Sequence, residues 1–272
     1  MNIVGLGKIG SAIAEKFSKH KQYSIFKISS AIETSDNTFF LEERANVESY
    51  DSTPINPNFD IQSNIDLFLC GEEAISAASL RILENYKDNT IRIFYLKPNY
   101  KFLSESQKLT DKTVCGVLQE YARSKKFDSM YILDQESISK IMGKVPITSF
   151  YDKLYEVISS TIHMINVLEN SEPAMTNIQD SPDTYCINTV GVMNLVDGEE
   201  NLFYSLDFIR ESRYYYCINK DQLNTDGDLL GLINDQIDSK IEENVNIMFG
   251  VYPINYKENY CYVICKSPYT QK

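Results

Sequence analysis

The opening stretch MNIVGLGKIGSAIAEKF constrains the fold more than any other part of the chain. Met1 to Val4 form a short apolar run, and Gly5, Gly7 and Gly10 follow at G-x-G-x-x-G spacing. Ile9, Ala12, Ile13 and Phe17 then recur at helical spacing. This predicts a strand, a tight turn and a helix. Glycines in the turn admit positive φ and close backbone approach, while the helix start aims unpaired N–H groups and a positive dipole end at it. A nucleotide phosphate suits such a turn, with Gly5, Gly7, Lys8 and Gly10 around it. A purely structural strand-to-helix connection is the alternative.

Bulk properties narrow the classes. At 272 residues and 43% hydrophobic content the chain can bury one large core or two packed ones. No apolar run approaches the roughly 20 residues of a membrane helix, and the N-terminus lacks the marks of a signal peptide, so a cytoplasmic protein is expected. The net charge of −12 would repel a nucleic-acid backbone, which argues against direct nucleic-acid binding. Cys70, Cys115, Cys186, Cys217, Cys261 and Cys265 show no C-x-x-C and suit reduced, buried thiols. With His20 and His163 the only histidines, neither a zinc site nor a histidine triad is expected, and His163 reads as a packing residue.

Along the chain, Tyr23 to Ile28 reads as a second strand. Residues 29–61 lose periodicity and read as loops with one short strand, Pro54 and Pro57 marking a turn-rich segment. Asp66 to Cys70 is a buried-type strand, followed by Gly71-Glu72-Glu73 and a helical pattern at Ile75, Leu80, Ile82 and Leu83. Ile91 to Leu96 is a strand, Val114 to Tyr121 fits a helix, and Met130 to Leu133 is again a strand. Such alternation predicts an α/β fold with a Rossmann-like parallel sheet over residues 1–149, ligands binding at the carboxyl ends of the strands. Residues 150–170 form the longest helical pattern, a central connecting helix of about 30 Å. Residues 171–272 read as a smaller α+β domain with strands at Tyr185 to Val192, Leu202 to Phe208, Arg213 to Ile218, Val245 to Tyr252 and Tyr260 to Cys265, and a helix carrying Leu229, Leu230, Ile233 and Ile237.

This succession resembles the tubulin/FtsZ family, and the segments compare one by one. GLGKIGSAIAEKF is similar to that family's first phosphate loop and helix. DLFLCGEEAISAA falls where the family has a strand and a loop of the form GGGTGTG, of which Gly71, Ser76, Ala77 and Ala78 remain. IRIFYLKP resembles the next strand, and YILDQESI the strand whose following Asn contacts guanine, a place held here by Asp134. In FYDKLYEVISST, Tyr151 matches a base-stacking tyrosine and Tyr155 stands where a guanine-contacting Asn is expected. VNIMFGVYPINYKENYCYVICKS resembles the family's closing strands. No long tail follows Lys272, so the family's appended partner-binding peptide or acidic tail is not expected. The compact length and the weight of Asn, Ile, Lys and Tyr resemble members carried by bacteriophages, which would place the protein in a host's cytoplasm.

The resemblance implies a protein that binds GTP or GDP, with or without Mg2+, and assembles head to tail with itself or a related tubulin-like subunit. The loop after the long helix would then complete a neighbour's phosphate site, and Glu172 and Asp180 are its candidates for polarising the attacking water. A second reading is an NAD(P)-dependent oxidoreductase, though Ser29 and Ser30 stand where an acid should hold the ribose. A third is a tubulin-like subunit without nucleotide turnover, since Glu72 and Glu73 put negative charge where phosphates would lie. A bridging magnesium ion would reverse that repulsion.

Overall fold

The computed structural model describes residues 1–44, 47–50 and 55–271; Pro54 of the turn-rich segment lies outside them. The chain divides into two compact units, Met1–Ser159 and Ser160–Lys272.

In the first unit β1 (Asn2–Leu6) leads into α1 (Gly7–Glu15), followed by β2 (Ser24–Ser29) and the short β3 (Thr38–Phe40). Next come β4 (Ile65–Cys70), α2 (Ser79–Glu84), β5 (Ile91–Lys97), α3 (Glu105–Arg123), β6 (Ser129–Asp134) and α4 (Gln135–Met142). Strand order is β3-β2-β1-β4-β5-β6, and every pairing is parallel. β1 and β4 are buried along their whole length, as strands covered on both faces must be, which explains their near-continuous apolar runs. Phe68, Phe94 and Tyr131 stack across β4, β5 and β6 with ring centroids 4.8 and 4.7 Å apart. Phe17 packs on Phe68 at 5.4 Å. The buried Asp66 is held by its cross-strand neighbour Arg92, whose Nε and Nη2 donate over 2.7 and 2.8 Å.

The helix read at Val114 to Tyr121 extends over all of Glu105–Arg123. Its first turns are polar, and they are secured by a capping box in which Ser104 and Gln107 satisfy each other's backbone N–H groups. The pattern after Gly71 divides into a 3₁₀ turn, Ala74–Ala78, and the six-residue α2. α5 (Phe150–Glu169) is the long helix, with Leu154, Ile158, Ile162, Ile165 and Leu168 buried along one stripe.

In the second unit the two-residue β7 (Met175–Thr176) precedes β8 (Ile187–Met193), β9 (Glu200–Leu202) and β10 (Glu211–Asn219). Then follow α6 (Lys220–Thr225), α7 (Leu229–Asp238), β11 (Asn246–Ile254) and β12 (Tyr260–Ser267). The order is β8-β12-β10-β11-β7, with β9 as a hairpin on β8. Only β10 and β11, joined through the two helices, run parallel. The strand expected at Leu202 to Phe208 is not formed. After Leu202 the chain buries Phe203, Tyr204 and Leu206 one by one, and the Asp207 carboxylate accepts from the Gln271 N–H at 2.6 Å, so these apolar residues anchor a loop. All six cysteines are buried, and none is joined in a disulfide.

Candidate functional site

The site is built at the carboxyl ends of β1 and β4. Gly7 has φ +78°, a conformation glycine adopts without strain, and it turns the chain directly from β1 into α1. A Cβ on Gly10 would run into the carbonyl oxygen of Phe68, and one on Gly5 would lie 2.5 Å from the carbonyl oxygen of Gly10. These two glycines therefore let α1 lie flat on β1 and β4, while Gly7 shapes the helix start.

That helix start has no cap of its own: Leu6 offers no side-chain acceptor and the first turn contains no acid. The acceptor comes from the loop after β4. Glu73 Oε1 accepts the N–H of Lys8 at 2.7 Å, and Glu73 Oε2 accepts the N–H of Ile9 at 3.1 Å. The space above Gly7 is filled by the same group, since a Cβ there would sit 2.5 Å from Glu73 Oε2. One carboxylate thus occupies the anion cradle, one oxygen to each amide. Burial pushes the Glu73 carboxyl up to about 7, against the pull of its two N–H donors. The Glu72 carboxyl is raised too, first by burial and then by Asp111.

Behind the loop lies a residue that sequence reasoning passed over. Asp111 on α3 is fully buried, accepting from Tyr95 Oη at 2.6 Å and Tyr100 Oη at 2.5 Å. Gly71 lies against it so tightly that an added Cβ would overlap Asp111 Oδ1 and the Tyr95 hydroxyl. The signal was present, because Asp111, Val114, Cys115, Leu118 and Ala122 are the buried positions of α3 and only the first is charged.

The remaining candidates separate. Ser76 is buried with its hydroxyl donating to the Cys70 carbonyl at 2.6 Å, turned inward rather than towards the cradle. Asp134 caps α4, its Oδ2 accepting from the Ser137 N–H at 2.8 Å and the Ser137 hydroxyl at 2.7 Å. Tyr151 is 54% exposed and lines a cavity of about 450 Å³ with Phe102, Gln135, Ile147 and Phe150. Tyr155 is half-buried with its ring centroid 6.1 Å from that of Tyr151. Its phenol is raised by burial and then by Cys70, Tyr151 and Glu73. In the second unit Glu172 and Asp180 are both exposed. Their loop is tied down by β7 pairing with β11 and by Ser181, which accepts from Arg213 and Lys266 at 2.6 Å each and donates to the buried Glu211 at 2.6 Å. At the end of β2 stand Ser29, buried, and Ser30, with no acid for a ribose.

Nucleotide phosphates do not fit the cradle as these residues form it, because Glu73 already holds the amides and the Ser76 hydroxyl is committed elsewhere. Among the described residues no group of three His, Cys, Asp or Glu could hold a metal ion, and no helix is long and apolar enough to cross a membrane.

No family model and no curated protein matches the sequence. Solved structures do match the fold. GDP-form protofilaments of TubZ from Bacillus thuringiensis serovar israelensis align with a TM-score of 0.70 at 12% identity, over 97% of this chain and 83% of that one. An empty FtsZ dimer from M. jannaschii aligns at 0.67 and 9% identity, over 98% and 87%. CetZ2 from Haloferax volcanii, in a GTPγS-bound protofilament, aligns at 0.64 and 9% identity, over 97% and 92%. The likeness spans both units.

Proposed function

From a chain with the tubulin/FtsZ fold whose phosphate cradle holds one of its own carboxylates, we infer a cytoskeletal subunit that stacks head to tail without turning over GTP. The pair of hydrogen bonds from Lys8 and Ile9 to Glu73 carries this reading. GTP or GDP could enter only by displacing Glu73, against the charge of Glu72 beside it. Tyr151 remains available to stack on a base, but stacking alone leaves the phosphates without their donors. Glu172 and Asp180 would face a neighbouring subunit, and with no phosphate held there they have no water to activate. Their exposed loop then serves contact rather than catalysis. The partner is a second copy or a related tubulin-like subunit, and the work is done in the cytoplasm, a host's if the chain is viral.

Sedimentation and electron microscopy over a concentration series, with GTP, GDP or neither, test the proposal. Polymer should appear above a threshold concentration in equal amount under all three conditions, with phosphate release at background. A chain that stays monomeric throughout, alone and with a tubulin-like partner, removes the assembly reading. Polymer that needs GTP and releases phosphate removes the claim of no turnover.

A further inference from the structure

Away from the cradle, residues of α2 and α3 line two adjoining cavities of about 440 and 250 Å³, which share Leu80 and Tyr121. The larger is also lined by Lys87, Lys126 and Phe127, which precede the first residues of β5 and β6. Because these strands run parallel, this edge of the sheet is opposite the one that carries the cradle. Leu83 and Phe127 give the cavity a buried apolar floor, while Tyr121 is exposed. The charges around it are not balanced. Glu84 is paired with Arg81 at 3.2 Å, Glu120 is paired with Arg123, and Asp128 accepts the Ile91 N–H at 2.6 Å. Lys87, Lys125 and Lys126 are exposed and enter no ion pair among the described residues; Asp88, next to Lys87 in sequence, offsets one of them. Lys87 and Lys126 each follow their helix by three residues, beyond the last turn in which a helix dipole acts. In a chain of net charge −12, two such lysines on one apolar hollow are a local reversal of sign.

We propose that this cavity binds a small amphipathic monoanion, a carboxylate carried on an apolar chain, with the chain against Leu80, Leu83, Tyr121 and Phe127 and the carboxylate beside Lys87 and Lys126. The volume lies in the range of about 300–1,000 Å³ typical of small-molecule sites, and an apolar lining with a few polar groups is their usual make-up. A longer chain continues past Leu80 and Tyr121 into the smaller cavity, over Val114, Val117 and Leu118. The cavity beside Tyr151 is less suited to an anion, because its Lys101 is already held by Glu136 at 3.0 Å. Neither nucleotide nor assembly enters into this site, so it stands or falls apart from the reading of a head-to-tail subunit.

Calorimetric titration of the dilute protein with octanoate, decanoate and octanol, the two carboxylates below their micellar concentrations, tests the proposal. Decanoate should bind about tenfold more tightly than octanoate, since two more methylene groups leave water. Octanol, with the same chain and no charge, should bind about fivefold more weakly than octanoate, the scale of a surface ion pair. Lys87→Glu with Lys126→Glu should lower octanoate affinity about tenfold and leave octanol unchanged; both side chains are exposed, so this variant keeps its fold. Tyr121→Glu, placed where the two cavities meet, should weaken all three ligands, and if that variant fails to fold the lysine pair decides alone. Octanol binding as tightly as octanoate would mark a groove for a partner's apolar side chain rather than for an anion, and overturns the proposal. Octanoate affinity that the double lysine variant leaves unchanged overturns it too, as does the absence of binding by either carboxylate.

Discussion

The hydroxyl of Tyr95 donates to Oδ1 of Asp111 over 2.6 Å and also lies 3.0 Å from the Asp111 carbonyl oxygen, fixing a buried carboxylate against the backbone of Gly71. Strand β5 thereby supports the loop that carries Glu73.

Gly71→Ala should destabilise the protein by about 1–3 kcal/mol, the usual cost of forcing atoms into a filled core. The added methyl group has nowhere to go but into Asp111 and Tyr95. Denaturant midpoints measure the effect, and an unchanged midpoint would show that the loop is not clamped as described.

Tyr95→Phe removes one of the two phenols that satisfy Asp111 and leaves Tyr100 alone. A loss of about 1–3 kcal/mol is expected for a buried acceptor deprived of its partner. Phe should fit without strain, so a neutral result would mean that water reaches Asp111.

Stability should fall as pH rises from about 4.5 to about 7, by an amount that Glu73→Gln lacks. Burial raises the folded-state value of the Glu73 carboxyl to about 7, so between its ordinary value and 7 the folded chain binds the proton that the unfolded chain has released. The contribution is fully present below that window and gone above it, and the raised Glu72 adds in the same direction. Parallel wild-type and Glu73→Gln curves of unfolding free energy against pH would contradict it.

In the second unit, Arg213→Met should cost about 3–5 kcal/mol, since it strips the main partner from a buried carboxylate. Arg213 Nε donates to Glu211 at 2.8 Å, whereas Lys266 stands 3.6 Å away. Glu172→Ala with Asp180→Ala, both on the surface of the same loop, should stay within about 0.5 kcal/mol of wild type. Denaturation of the two variants side by side would refute the contrast if they shifted alike.

Much of the first unit was legible because parallel strands and their turns leave a local imprint: Met1 to Val4 with its glycines marks β1 and the start of α1. Glu72 and Glu73 were legible as misplaced charge. That Glu73 folds back onto Lys8 and Ile9 depends on the path of a loop 65 residues away, which no local pattern records. Leu202 to Phe208 misled because an apolar cluster looks the same whether it lines a sheet or pins a loop, and long-range ties such as those of Asp207 to Thr270 and Gln271 distinguish them. α4 left too short an apolar pattern to read, and its start depends on the Asp134 cap.

The strands at the two extremes of the strand order, β3 with three residues and β7 with two, offer an incoming chain very few unpaired backbone groups. Long bare margins would let the sheets of separate molecules adhere sideways into disordered aggregate. Such abbreviated margins leave that route little purchase, whatever the concentration of the protein.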